Sequence, residues 1–160
     1  MPETILYLTT IVSANLLLSY LGPQAVVPIA LVLIGFDITL RDKLHNKWSY
    51  KLLWIKMFLL IVTGSVITYV INRNAQHIAI ASTVAFSCAA LSDTLVYQVF
   101  HKKHTLYKVN ASNIVSSAVD STVFITLAFG LPILWSIIAV QILAKFIGGF
   151  LWSLILQRCL

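Results

Sequence analysis

Six long apolar runs separated by short polar breaks restrict this chain more than any other feature. They cover approximately residues 4–21, 24–40, 50–71, 77–100, 110–129 and 132–157. Each is near the ~20 residues that an α-helix needs to cross bilayer hydrocarbon. Lipid offers no partner for backbone N–H and C=O groups, so runs of this kind must satisfy them internally, as helices. The expectation is an all-α polytopic membrane protein, a six-helix transmembrane bundle occupying residues 1–160 as a single domain. Composition agrees, because the chain is 59% hydrophobic and only 10% charged, whereas soluble domains carry about a quarter charged residues. Gly22-Pro23 and Gly130-Leu131-Pro132 read as tight turns, "RDKLHNKWSYK" and "HKKHTLYK" as basic loops, and "NRNAQ" as a short polar one. Pro28 is expected to kink the second and shortest run.

The start, "MPETILYLTT", lacks a basic region and carries Glu3, so the first run reads as a retained helix and not a cleaved signal. Cys88 and Cys159 have neither the spacing of a metal site nor the context of a structural disulfide. With six spans, both termini share a side with the second and fourth loops. That side holds Arg41, Lys43, Lys47, Lys51, Lys102, Lys103, Lys108 and Arg158, eight in all, against Arg73 alone on the other. Cytoplasmic loops concentrate lysine and arginine, so both termini are expected in the cytoplasm. The net charge of +6 is therefore a topology signal with some contact to anionic lipid, and it does not call for nucleic acid.

Three of the five acidic residues, Asp37, Asp93 and Asp120, fall inside the runs, together with Lys56 and Lys145. A charge at a helix centre costs roughly 2.5–3.5 kcal/mol on insertion scales, so such groups face a partner or a wet cavity. At about 1.5 Å per residue from the cytoplasmic boundary, Asp37 lies roughly 6 Å in, Lys56 about 9 Å and Asp93 about 10 Å. Asn15, Asp120 and Lys145 come out near 16–18 Å, about the middle of a ~30 Å core. Three stripes at helical spacing join these tiers: Ser112, Ser116, Asp120 and Phe124; Gln141, Lys145, Gly148/Gly149 and Trp152; and Ser82, Phe86, Ala89, Asp93 and Tyr97. Serines within a span are commonly packing contacts, and Asp120 with Lys145 also reads as a plain ion pair. A buried pair is a costly way to gain stability, however, and two carboxylates with a lysine in one small bundle favour a ligand or proton path. His45, His101 and His104 belong to the basic loops, and His77 caps the opposite end of a span. "NAS" at 110–112 matches a glycosylation acceptor but sits on the cytoplasmic side. "SDTLVY" (92–97) and "VDSTVF" (119–124) echo one another on consecutive antiparallel spans, the kind of inverted pair that flanks midplane sites in transporters.

"SANLLLSYLGPQAVVPIALVLIGFDITLRDKLH" resembles the opening of the VUT family, the queuosine-precursor transporters, with an Ala-Asn pair in the first span and a proline and an aspartate in the second. "IASTVAFSCAALSDTLVYQVF" and "NASNIVSSAVDSTVFITLAFG" resemble that family's Ser- and Asp-bearing pair of helices, and "QILAKFIGGFLWSLI" its final lysine-bearing span. Carried over, the resemblance implies substrate-binding roles for Asn15, Asp37, Asp93, Ser116, Asp120 and Lys145. It implies an inner-membrane importer of a 7-deazaguanine such as 7-cyano-7-deazaguanine. Two departures stand out: "ITLRDKLHNKW" replaces the family's acidic residue and Tyr-Gly turn after the second-span aspartate, and Lys108 replaces an arginine before the fifth span. One carboxylate could accept both N1–H and the 2-amino group of a guanine-like edge. Lys145 or Asn15 would supply a donor to O6, and Phe86, Tyr97 or Phe124 would cover the ring. Three other classes compete. A substrate-binding subunit of a vitamin-uptake complex would need a small-xxx-small docking motif, which the first span lacks. A holin-like structural protein leaves the tiers of charge unexplained. An intramembrane enzyme lacks HExxH, a nucleophile–base set and a metal cluster. No cofactor is called for, and a homodimer is compatible with the sequence.

Overall fold

The computed structural model describes residues 2–48, 53–100, 105–131 and 135–158. Among these residues the chain forms six helices and no strand: α1 (Pro2–Leu21), α2 (residues 23–48), α3 (Leu53–Ile71), α4 (Gln76–Val99), α5 (Thr105–Phe129) and α6 (Trp135–Arg158). Four helical stretches, Pro2–Leu21, Pro23–Arg41, Arg73–Asp93 and Trp135–Ile155, are long and apolar enough to cross a membrane, and the apolar parts of the other two, Ile55–Ile71 and Ile114–Phe129, are shorter. Large apolar side chains such as Val70, Ile71, Val99 and Phe150 are exposed on the outside, as suits a bundle whose solvent is lipid. The expected tip of the basic loop at 101–104, residues 49–51 of the other basic loop, Pro132 and Cys159 lie outside the described residues.

Local chemistry explains the reversals at the end of the bundle away from the termini. Gly22 and Gly130 adopt φ of 70° and 78°, where a Cβ is disfavoured. Their N–H groups donate to Leu18 O and Thr126 O, each at 2.9 Å, closing the helix ends. Between α3 and α4 the Asn72 side chain accepts the Asn74 N–H at 3.0 Å, an Asx turn that leads into a short 3₁₀ turn.

The irregular element is α2. It begins as a 3₁₀ turn (Pro23–Ala25), becomes α-helical over Val26–Ile29, widens to a π-helix over Ala30–Ile34 and returns to α from Gly35 to Trp48. The kink expected at Pro28 thus takes the form of a wide turn just after it, where Gly35 N–H reaches back five residues to Ala30 O. This turn packs directly on α6. A Cβ on Gly148 would be driven into Leu31 O, and one on Gly35 would meet the Gly148 backbone at 2.5 Å. Trp152 Nε1–H donates to Val32 O at 2.8 Å, its ring lies 4.6 Å from that of Phe36, and Thr39 Oγ1 donates to Gly35 O at 3.1 Å and Gly149 O at 3.4 Å. In lipid the drive for such contact is close packing and hydrogen bonding, with small residues allowing backbones to approach.

α4 and α5 form a closely packed antiparallel hairpin, α1 lies on α3, and α2 lies on α6. An apolar cluster that includes Leu18, Val26, Ile29, Ile78, Phe124 and Ile138 joins five helices at the end away from the termini. A second, built on Tyr7, Ile11, Leu40, Leu44, Met57 and Ile61, ties α1, α2 and α3 together nearer the termini.

Candidate functional site

A cavity of about 520 Å³ lies between the α4–α5 hairpin and the α1–α2–α6 side of the bundle. Its wall runs from Tyr7 and Arg41, near the termini, to Leu18 and Phe124, which belong to the apolar cluster closing the far end. The helical stripes explain how it acquires polar walls. Ser116, Asp120 and Phe124 recur along one face of α5 and all line it, as do Gln141, Lys145 and Gly149 of α6, and Ser82, Phe86 and Ala89 of α4. Trp152 continues the α6 stripe but turns to α2. The side chains of Tyr97 and Ser112 are outside the described set.

The centre of the site is an ion pair between α5 and α6. Lys145 Nζ donates to Asp120 Oδ2 and, at 2.9 Å, to Ser121 Oγ. Lys145 is 3% exposed while Asp120 is 31% exposed, so the ammonium is enclosed and the carboxylate stands partly open. Facing one another at one depth, they match the position obtained by counting residues along their helices. Around them, four buried polar atoms have no hydrogen-bond partner among the described residues: Asn15 Nδ2, Asp37 Oδ1, Arg41 Nε and Gln141 Oε1. All four residues line the cavity. An unmet buried donor or acceptor costs about 1–3 kcal/mol, and here two donors and two acceptors wait on one space. Such a set suits a small polar guest, and the volume falls in the range of small-molecule sites.

Of the six residues carried over from the sequence, the structure brings Asn15, Asp37, Ser116, Asp120 and Lys145 to this cavity. Asp93 is half-buried on α4 and is not part of its wall. The shallower tier of charge therefore divides. Asp37 faces the cavity, whereas Lys56 is exposed and sits 5.5 Å above the Trp48 ring, a cation–π contact made at the helix surface. The echo between residues 92–97 and 119–124 likewise does not place Asp93 and Asp120 on one site. Arg41 and Gln141 are the additions. Arg41 was counted for topology, yet its spacing of four from Asp37 already sets both on one helical face. Gln141 stood on the α6 stripe one turn from Lys145.

Residues 4–157 match the family model described as "Putative vitamin uptake transporter". The chain belongs to that family. The resemblance drawn from its residues is to the same family. No curated protein and no solved structure matches the chain. In this vitamin uptake transporter the match takes in every helix, so the cavity, its ion pair and its unmet polar atoms all lie within the family-defining region. The family assignment makes the chain a transporter of a vitamin-type solute.

Proposed function

We propose that this transporter imports a 7-deazaguanine queuosine precursor, such as 7-cyano-7-deazaguanine, across the inner membrane, with Asp120 as principal acceptor. The observation that carries the proposal is the asymmetry of the central pair. Lys145 holds Asp120 by one oxygen, while the carboxylate remains 31% exposed to a cavity of about 520 Å³. A guanine-like edge presents N1–H and the 2-amino group side by side, and a carboxylate accepts both as charge-assisted bonds. Lys145, an ammonium with three donors, also serves O6. Phe86 and Phe124 line the cavity and offer faces to a flat ring.

Asp120→Asn tests the role. It keeps the size but replaces an acceptor oxygen by a donor that opposes the ligand's own donors. Loss of a charge-assisted bond costs roughly 1.5–3 kcal/mol, about ten- to a hundredfold in affinity. Cells unable to make or import the precursor are supplied with it, and queuosine in tRNA is read by boronate-gel shift. The wild type restores queuosine, Asp120→Asn at equal membrane expression does not, and Asp120→Glu restores part of it. No restoration by the wild type with any deazaguanine would refute import of this class. Full restoration by Asp120→Asn would keep the function and remove Asp120 from the site.

A further inference from the structure

Among the unmet atoms of the cavity, Asn15 Nδ2 and Gln141 Oε1 belong to the most enclosed side chains, 3% and 1% exposed. They are of opposite character, a donor and an acceptor, yet they do not bond to each other. Asn15 lies three residues from Leu18 on α1, and Gln141 three residues from Ile138 on α6. Each is thus about one helical turn short of a member of the apolar cluster. Beyond them stand Leu18, Ile138 and the rest of the apolar cluster. Both therefore stand beside the closed end of the cavity, Gln141 one turn of α6 past Lys145. Nothing in packing accounts for it, because a leucine or methionine of similar size would avoid the cost of two unmet polar atoms.

We propose that Gln141 and Asn15 are a specificity-determining pair that reads an unsubstituted ring N–H beside a ring acceptor on the substrate. The proposal rests on the deazaguanine reading above and deepens it. With Asp120 on N1–H and the 2-amino group and Lys145 at O6, the edge that remains is N3, an acceptor, beside N9–H, a donor. Asn15 Nδ2–H donates to N3, and Gln141 Oε1 accepts from N9–H. The consequence is selection of the free base. A substituent on N9, whether methyl or a ribose, removes the hydrogen that Gln141 requires and must push into the apolar cluster. A site built to bond an N–H discriminates strongly against an analogue without it, because its own buried acceptor is left unmet.

The test uses the purified full-length protein in detergent, with thermal shift and equilibrium binding of 7-cyano-7-deazaguanine and its 9-methyl derivative. The wild type binds the free base at least about tenfold more tightly than the 9-methyl compound. Gln141→Met loses that selectivity, and its unliganded melting temperature is equal to or above that of the wild type, since an unmet acceptor has gone. A wild type that binds both compounds alike overturns the proposal and leaves the deazaguanine assignment standing. Binding of neither compound overturns both. A Gln141→Met protein that melts well below the wild type or fails to fold assigns Gln141 to the scaffold and overturns its part. The wild-type comparison of the two compounds is a separate readout that needs no variant.

Discussion

Lys145 and Asp120 share one ion pair but differ in exposure, 3% against 31%, and the difference sets how each tolerates loss of its partner. Without Asp120 the ammonium is left enclosed with Ser121 as its neutral partner. Without Lys145 the carboxylate can still be solvated from the cavity. Breaking a buried pair by removing one member costs about 3–5 kcal/mol, and the larger share of that cost falls on the enclosed charge. Thermal unfolding in detergent is expected to rank the wild type first, Lys145→Met second and Asp120→Ala last. An Asp120→Ala protein as stable as the wild type would mean that the pair is not a buried one. At this scale the sequence was informative where depth decides. Asn15, Asp120 and Lys145 fall at one level by counting residues along three helices, and all three line the cavity. It was not informative for Arg41, whose charge is equally required by a basic loop, nor for Asp93, whose depth is right but whose position on α4 leaves it off the wall.

The element that shapes the site is α2, and its contact with α6 is the place to test packing. Gly148 and Gly149 are adjacent in sequence, yet a Cβ on the first would strike Leu31 O, while on the second it would lie 3.8 Å from Ile38 Cγ2. Gly148→Ala is therefore expected to destabilise the protein by about 1–3 kcal/mol, the usual cost of overpacking, and Gly149→Ala to cost much less. Melting temperatures of the two variants decide this, and equal effects would show that the seam is looser than the backbone contact implies. Pro28 announced an irregularity in α2. It did not announce a π turn, whose Val32 O accepts the Trp152 Nε1–H of α6, a contact with a helix distant in the chain. Wide turns of this kind recur at functional sites, and this one comes just before Asp37.

For the whole molecule, the excess of lysine and arginine at the termini end predicts a cytoplasmic location for both termini. Reporter fusions at Gln76 and Leu131 are expected to read as external. A fusion at His104, a position outside the described residues, is expected to read as internal, and a cytoplasmic signal at Gln76 would overturn the orientation. Six apolar runs and the family could be taken from the sequence, but not every break. Residues 41–48, read as part of a basic loop, continue α2 to Trp48, and residues 105–108 of the other basic loop open α5. Lipid leaves a long apolar run one solution, the helix, and the glycines at 22 and 130 mark where it must end. What the sequence could not supply is which helix faces which. Stripes on α4, α5 and α6 mark faces that avoid lipid, but facing is a relation between elements distant in the chain, decided by where small residues let backbones approach. The packing of Gly35 against Gly148 aligns α2 with α6. That packing, with the pairing of Lys145 to Asp120, places Asn15, Asp37, Arg41 and Gln141 around one cavity and leaves Asp93 and Lys56 outside it.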